Sequence, residues 1–166
     1  MTDRDEQEWA PDRQRYASAL AGLGSESQVD FLDNVVVEAI HDDMVSRFGG
    51  LMGIRDPAML ESALSAPMQQ EAYAESVDLP SLAATLATRL VKNHAFLDAN
   101  KRTGFMAMVL FLRRNGLAFS AGNVEVKNVF NDLAAGRITE PDLGDWIGRR
   151  VAPLPLVADD TSVSPR

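Results

Sequence analysis

The sequence predicts an all-α protein, a bundle of helices around one core. Two observations carry that reading. Apolar residues recur at three- and four-residue spacing in successive stretches, as in Leu82, Leu86 and Leu90, or Phe105, Met108, Val109 and Leu112, which is the period of a helix with one buried face. The same stretches are punctuated as helices are: Asp, Asn or Thr opens them, with Pro close behind in several, and Gly or Asn-Gly closes them. The length of 166 residues, 46% of them hydrophobic, suits a single domain with a core of useful size.

In chain order, residues 1–28 form an extension with an acidic start and a short helix over Pro11–Leu23, stopped by Gly22 and Gly24. The domain proper spans residues 29–151. Asp33 caps a helix to about Phe48 whose buried stripe is Val36, Ile40, Met44 and Val45. His41 lies beside that stripe and could be a ligand or a catalytic group; lacking partners at ligand spacing, it reads better as a structural hydrogen bond. Gly49, Gly50 and Gly53 break the chain, and Asp56-Pro57 opens a helix to about Ser65. Pro67–Pro80 is polar and reads as a long loop or short hairpin. Pro80 starts an Ala- and Leu-rich helix to about Asn93; a second apolar run follows from Asn100, a residue that caps well, to Arg114. Asn115-Gly116 stops it. Asn123 caps a helix to Ala135, and Thr139-Glu-Pro-Asp142 opens a last one to about Arg150, with Leu143, Trp146 and Ile147 inside. Residues 152–166, with three prolines and small polar residues, read as a disordered tail.

Composition narrows the function classes. There is no cysteine, which removes disulfides and thiolate catalysis and fits a cytoplasmic protein. With two histidines and no His-Glu-x-x-His, a zinc enzyme is disfavoured. The net charge of −8 argues against direct nucleic-acid binding. No run of eighteen apolar residues suggests a membrane span, and no secretory signal opens the chain. A nucleotide, if bound, is not held by a P-loop or a Rossmann glycine turn, since neither pattern occurs.

The chemistry concentrates in His94-Ala-Phe-Leu-Asp-Ala-Asn-Lys-Arg-Thr103, where a loop gives way to a helix. The first turn of a helix carries unpaired N–H groups and partial positive charge. Lys101 and Arg102 add full positive charge at that end. The arrangement opposes the dipole of a merely structural helix and suits one that holds an anion. His94 could take a proton from a hydroxyl, and Asp98 could hold magnesium beside phosphates. The alternative is a core histidine with Asp98 as a loop cap, and the two residues alone leave both open.

This stretch resembles the signature of the Fic/Doc family, in the form that its Doc (death-on-curing) branch carries: His-x-Phe-x-Asp-Ala-Asn-Lys-Arg-Thr. The Fic branch has Gly-Asn-Gly-Arg where this chain has Ala99-Asn100-Lys101-Arg102. Ile40-His41-Asp42, Arg47 to Pro57, and Phe111 to Gly116 are similar to further Doc-like stretches, so the likeness spans about residues 31–150.

The resemblance implies a helical bundle with a small flap beside the active site, assigned here to Pro67–Pro80. It implies a protein kinase toxin of a toxin–antitoxin system that moves the γ-phosphate of ATP to a Ser or Thr hydroxyl of elongation factor Tu and halts translation. His94 would be the base and Asp98 the Mg2+ ligand. Asn100, Lys101 and Arg102 would cradle phosphates, with Lys92 as a further phosphate contact and Phe96 as a buried anchor. The partner would be a small antitoxin whose disordered tail folds as a helix into a groove of the toxin. AMP transfer of the Fic type is the alternative, disfavoured by the bulk and charge of Lys101; a non-catalytic interaction module of the same fold is a third.

Two features depart from the family pattern: Ala95 stands where proline is common, and Gly104 where alanine is usual. Some Fic proteins inhibit themselves with a Ser/Thr-x-x-x-Glu-Gly/Asn helix. Thr2 to Glu6 meets half of that pattern, but Gln7 follows, and Phe105 occupies the position of the arginine that such a glutamate pairs with.

Overall fold

The computed structural model describes residues 28–155. The expected helix over Pro11–Leu23, the Thr2–Glu6 pattern and the tail beyond residue 155 lie outside the described residues. Six helices and one short antiparallel sheet make up the rest, in the order α1 (Asn34–Phe48), α2 (Pro57–Tyr73), α3 (Leu79–Lys92), α4 (Asn100–Arg114), β1 (Leu117–Phe119), α5 (Asn123–Ala134), α6 (Glu140–Gly148) and β2 (Val151–Pro153). None of the described helices is long and apolar enough to cross a membrane.

The bundle is built around α3. Ten of its fourteen residues are buried, as expected of a helix that is apolar nearly all round. It packs against α4, α6 and α2, and α1 lies on the other side of α4. The closest approach is to α4, at Gly104. A Cβ there would stand 2.9 Å from Val91 Cγ2 and 3.2 Å from the Ala87 carbonyl oxygen. The glycine at this unusual position is therefore what lets the two central helices meet.

Helix starts follow the chemistry of their first residues. Asp33, Asp56 and Asp78 accept from first-turn N–H groups of α1, α2 and α3. Thr139 and Asp142 form a reciprocal capping box on α6. The stripe of α1 is rotated from the expected one: Val37, His41, Met44 and Val45 are buried, while Val36 and Ile40 are half-buried.

Three expectations are corrected. Helix α2 does not stop at Ser65. It runs through Pro67, which is buried, to Tyr73, because packing in the core outweighs the one backbone hydrogen bond that a proline forfeits. Residues 67–80 are therefore not the flap. The link after Tyr73 lies with Arg114, Asn115 and Gly116, at the end of α4 remote from the His94–Thr103 motif. The segment that does lie against the motif is 49–56, joined to it by an antiparallel bridge between Ile54 and Phe96. Finally, Ala152 and Pro153 are not in a disordered tail. They pair in β2 with β1, in the register Leu117↔Pro153, Ala118↔Ala152, Phe119↔Val151.

Candidate active site

The motif loop joins α3 to α4 and is fastened from three directions. Its first residue, His94, has φ 48, and Ala99, which precedes α4, has φ 59; both are left-handed, a conformation that costs a residue with a Cβ. The flap holds one edge: Arg55 Nε donates to the His94 carbonyl at 2.7 Å, and Leu97 N–H donates to the Gly53 carbonyl at 3.0 Å. From α1, the buried His41 stacks flat on Phe96, ring centroids 4.1 Å apart and planes 8° from parallel. Its Nε2 donates to the Asp98 carbonyl at 3.0 Å. From α4, the Asn100 amide grips Phe96 at both ends, accepting from its N–H at 3.1 Å and donating to its carbonyl at 3.0 Å.

Asn100 thus does not cap α4. Ala99 holds the cap position, and no side chain caps the helix. The first-turn N–H groups of α4 face outward without a side-chain partner, and no acid lies in that turn. The Asn100 side chain spends one acceptor and one donor on Phe96 and so holds the loop.

The Asp98 carboxylate sits at this helix end. One oxygen accepts from Ala99 N–H at 2.7 Å, the other from Leu51 N–H at 3.3 Å. The hydrogen bond from Ala99, then that from Leu51, holds its pKa below the usual carboxylate value; partial desolvation opposes them, and Arg102 and His41 assist more weakly. Asp98 is therefore ionised at neutral pH. Arg102 is anchored to the end of α1 and to the flap, donating to the Met44 and Gly49 carbonyls at 3.1 and 2.9 Å. Its guanidinium lies 5.9 Å from the Phe48 ring centroid. Gly50, at φ 122, permits the flap to close on this pair: a Cβ there would stand 2.8 Å from Asp98 Oδ2 and 3.4 Å from an Arg102 nitrogen.

The expected residues thus divide. Asp98 and Arg102 come together at the α4 N-terminus, both against Gly50, and His94 opens the loop that leads to it. The His94 side chain is exposed, and its ring has no hydrogen-bond partner among the described residues. Lys101 points aside, its Nζ donating to Asn131 on α5 at 2.9 Å, across a groove of about 350 Å³ floored by Phe105, Val126 and Phe130. Lys92 is exposed on α3, beside Arg89, Gly136 and Glu140. The sequence assigns Arg55 no part in the site, whereas the structural hydrogen bond expected of His41 is present, made to the Asp98 carbonyl. The one signal available was that both lie in stretches outside the motif that share the resemblance.

The chain has relatives among known proteins. A model of the Fic/DOC family matches residues 31–112. The protein named Protein kinase doc of Escherichia phage P1 is 36% identical over 111 residues, which cover 67% of this chain and 87% of that one. The chain belongs to the Fic/Doc family. It stands in the Doc branch, since a second relative, named Toxin Doc, from Mycolicibacterium smegmatis, is 40% identical over 78 residues. That match covers 45% of this chain and 58% of the relative. In Doc-branch terms, the matched region carries the motif, the flap and the two central helices, and ends just before the sheet.

Proposed function

We propose that this chain is the toxin of a toxin–antitoxin system. It acts in the cytoplasm as a kinase that transfers the γ-phosphate of ATP to a Ser or Thr hydroxyl of a translation factor, elongation factor Tu being the first candidate. The observation that carries the reading is the N-terminus of α4. It is uncapped and free of acids, and it is flanked by the fixed Arg102 charge and the ionised Asp98. Such an end binds phosphate, and the exposed His94 lies on the loop that leads to it. The names of the relatives, a protein kinase and a toxin, support the same reading.

In this account His94 takes the proton of the target hydroxyl as its oxygen attacks the γ-phosphorus. The bond from that phosphorus to the bridging oxygen breaks, and ADP leaves. First-turn N–H groups and Arg102 meet the charge that develops on the phosphoryl oxygens. Asp98 fits magnesium: its carboxylate is ionised and exposed and spends only one short hydrogen bond on the protein, and magnesium asks for one or two carboxylates with waters and phosphates. Bound there, the ion would supply charge neutralisation to the polyphosphate. Control by a separate antitoxin, whose disordered tail folds as a helix on the toxin, accompanies this reading.

AMP transfer remains as a second reading because of Lys101. Its ammonium is engaged with Asn131, so it does not crowd the helix end as the sequence suggested. Purified protein with magnesium, elongation factor Tu and ATP labelled at the α- or γ-phosphate separates the two. Label only from γ-ATP is expected; label only from α-ATP would replace the kinase with an AMP transferase. A His94→Ala variant that arrests growth as well as wild type would defeat both.

A further inference from the structure

As the chain leaves α3 it presents three successive backbone carbonyls at the rim of the site, from Asn93, His94 and Ala95. A single dipeptide of the flap meets all three. The Arg55 guanidinium donates from Nε to the His94 carbonyl at 2.7 Å and from Nη2 to the Asn93 carbonyl at 3.3 Å. The backbone N–H groups of Arg55 and Asp56 both donate to the Ala95 carbonyl, at 2.7 and 3.1 Å.

The need for such a clamp is local. His94 is held at φ 48, a conformation that persists in a residue with a Cβ only where its surroundings impose it. Its ring finds no hydrogen-bond partner among the described residues, so the hydrogen bonds that hold this residue act on its backbone and fix the Cα–Cβ direction from which the ring departs. Asn93 closes α3, and its carbonyl belongs to the negative end of that helix, where a cation is favoured. Arg55 forms no ion pair with a carboxylate among the described residues, so its charge is given wholly to these carbonyls. Nor does the start of α2 depend on it, because Asp56 supplies that cap, accepting from Ala58 and Met59 N–H groups.

We propose that Arg55 is a positioning residue for His94: its guanidinium fixes the left-handed turn and so aims the imidazole at the anion site. The inference rests on His94 being the base, as proposed above. A misaimed base costs turnover and leaves nucleotide affinity alone, because the hydrogen bonds of Arg55 go to the carbonyls of residues 93–95 and none to the first turn of α4.

The test compares wild type, Arg55→Ala and Arg55→Gln as full chains. For Arg55→Ala, kcat of transfer is expected to fall about 10- to 100-fold, the scale of a displaced reacting group, with KM for ATP unchanged. Added guanidinium ion is expected to restore part of the rate. Nitrogen-15 labelling of histidine gives a readout without turnover, since the chain has only His41 and His94. The His94 ring signals should shift or broaden in the variant while those of His41 stay. Unmoved His94 signals with unchanged kcat would overturn the proposal, as would His41 and His94 moving together with no rescue, which marks general loosening. If Arg55→Ala does not fold, Arg55→Gln, which retains one donor without the charge, carries the same comparison. A wild type that transfers nothing would sink the proposed function alone, because the histidine spectra still decide the positioning.

Discussion

Replacing His41 probes how the motif loop is supported. The ring is 1% exposed, lies flat on Phe96 at 4.1 Å, and donates to the Asp98 carbonyl at 3.0 Å. Removing it in His41→Ala leaves a hole in packed surroundings, at a cost of roughly 2–5 kcal/mol for large-to-small changes. The lost hydrogen bond is worth about 1 kcal/mol. A total loss of about 3 kcal/mol is expected, since Asp98 lies at the surface and its freed carbonyl can find water. His41→Phe retains the stacked ring and loses only the hydrogen bond, so about 1 kcal/mol is expected. Urea unfolding measures both as shifts in midpoint at constant slope. A Phe variant as damaged as the Ala variant would show that the hydrogen bond, and not the stack, supports the loop. An Ala variant within about 0.5 kcal/mol of wild type, the range of an unimportant surface change, would refute the support altogether. Transfer should fall in both variants, because Phe96 and Asp98 are the two points at which α1 holds the loop.

Three further outcomes follow from the same geometry. The folded-state pKa of Asp98 is lowered, so its ionised form adds stability at neutral pH; that contribution is lost as pH falls below the ordinary aspartate range and through the lowered value. Comparing wild type with Asp98→Asn across that range should show the difference in stability vanish on acidification, and a carbon-13 titration should place the Asp98 midpoint below that of a free aspartate. Gly104→Ala gains about 1 kcal/mol of helix propensity but drives a Cβ against Val91 and the Ala87 carbonyl, an overpacking cost of about 1–3 kcal/mol; a net loss of about 1 kcal/mol is expected by thermal or urea unfolding, and a stabilised variant would contradict the close approach of α3 and α4. Asn100→Asp keeps the acceptor for Phe96 N–H but loses the donor to its carbonyl; a loss of about 1–2 kcal/mol is expected at neutral pH, with transfer reduced alongside.

Local signals carried much of the fold. The Asp-Pro start at residue 56, the Thr139–Asp142 box and the stripe Leu82, Leu86, Leu90 each state a short-range fact, and the structure repeats them. The misreadings are of another kind. Pro67 was taken as a stop because its cost is local and evident, while the packing that outweighs it is contributed by α3 and cannot be seen from Pro67 alone. Residues 151–153 carry no alternating pattern long enough to mark a strand; they become one because β1, more than thirty residues earlier, offers them an edge. The stripe of α1 differs from the expected one at two of its four positions, Val37 and His41 being buried in place of Val36 and Ile40; a histidine with one satisfied nitrogen can pack as an aromatic ring.

The site divides in the same way. His94, Asp98 and Arg102 were legible because their chemistry is compressed into nine residues and needs only a helix start to come together. Arg55 was not, because it acts on backbone carbonyls, and a carbonyl has no identity in a sequence; for the same reason His41 reads as a structural hydrogen bond without its acceptor being evident. Asn100 shows the point most directly. As a residue type it suggests a cap or a phosphate ligand, yet its amide spans the N–H and carbonyl of Phe96 and caps no helix. The loop carries two left-handed residues, His94 and Ala99, which would relax if the chain were free. What the flap, α1 and α4 supply is their restraint, which holds the Asp98 carboxylate beside an uncapped helix end. In that arrangement the groups of the motif define the chemistry, and the residues around it determine whether those groups meet.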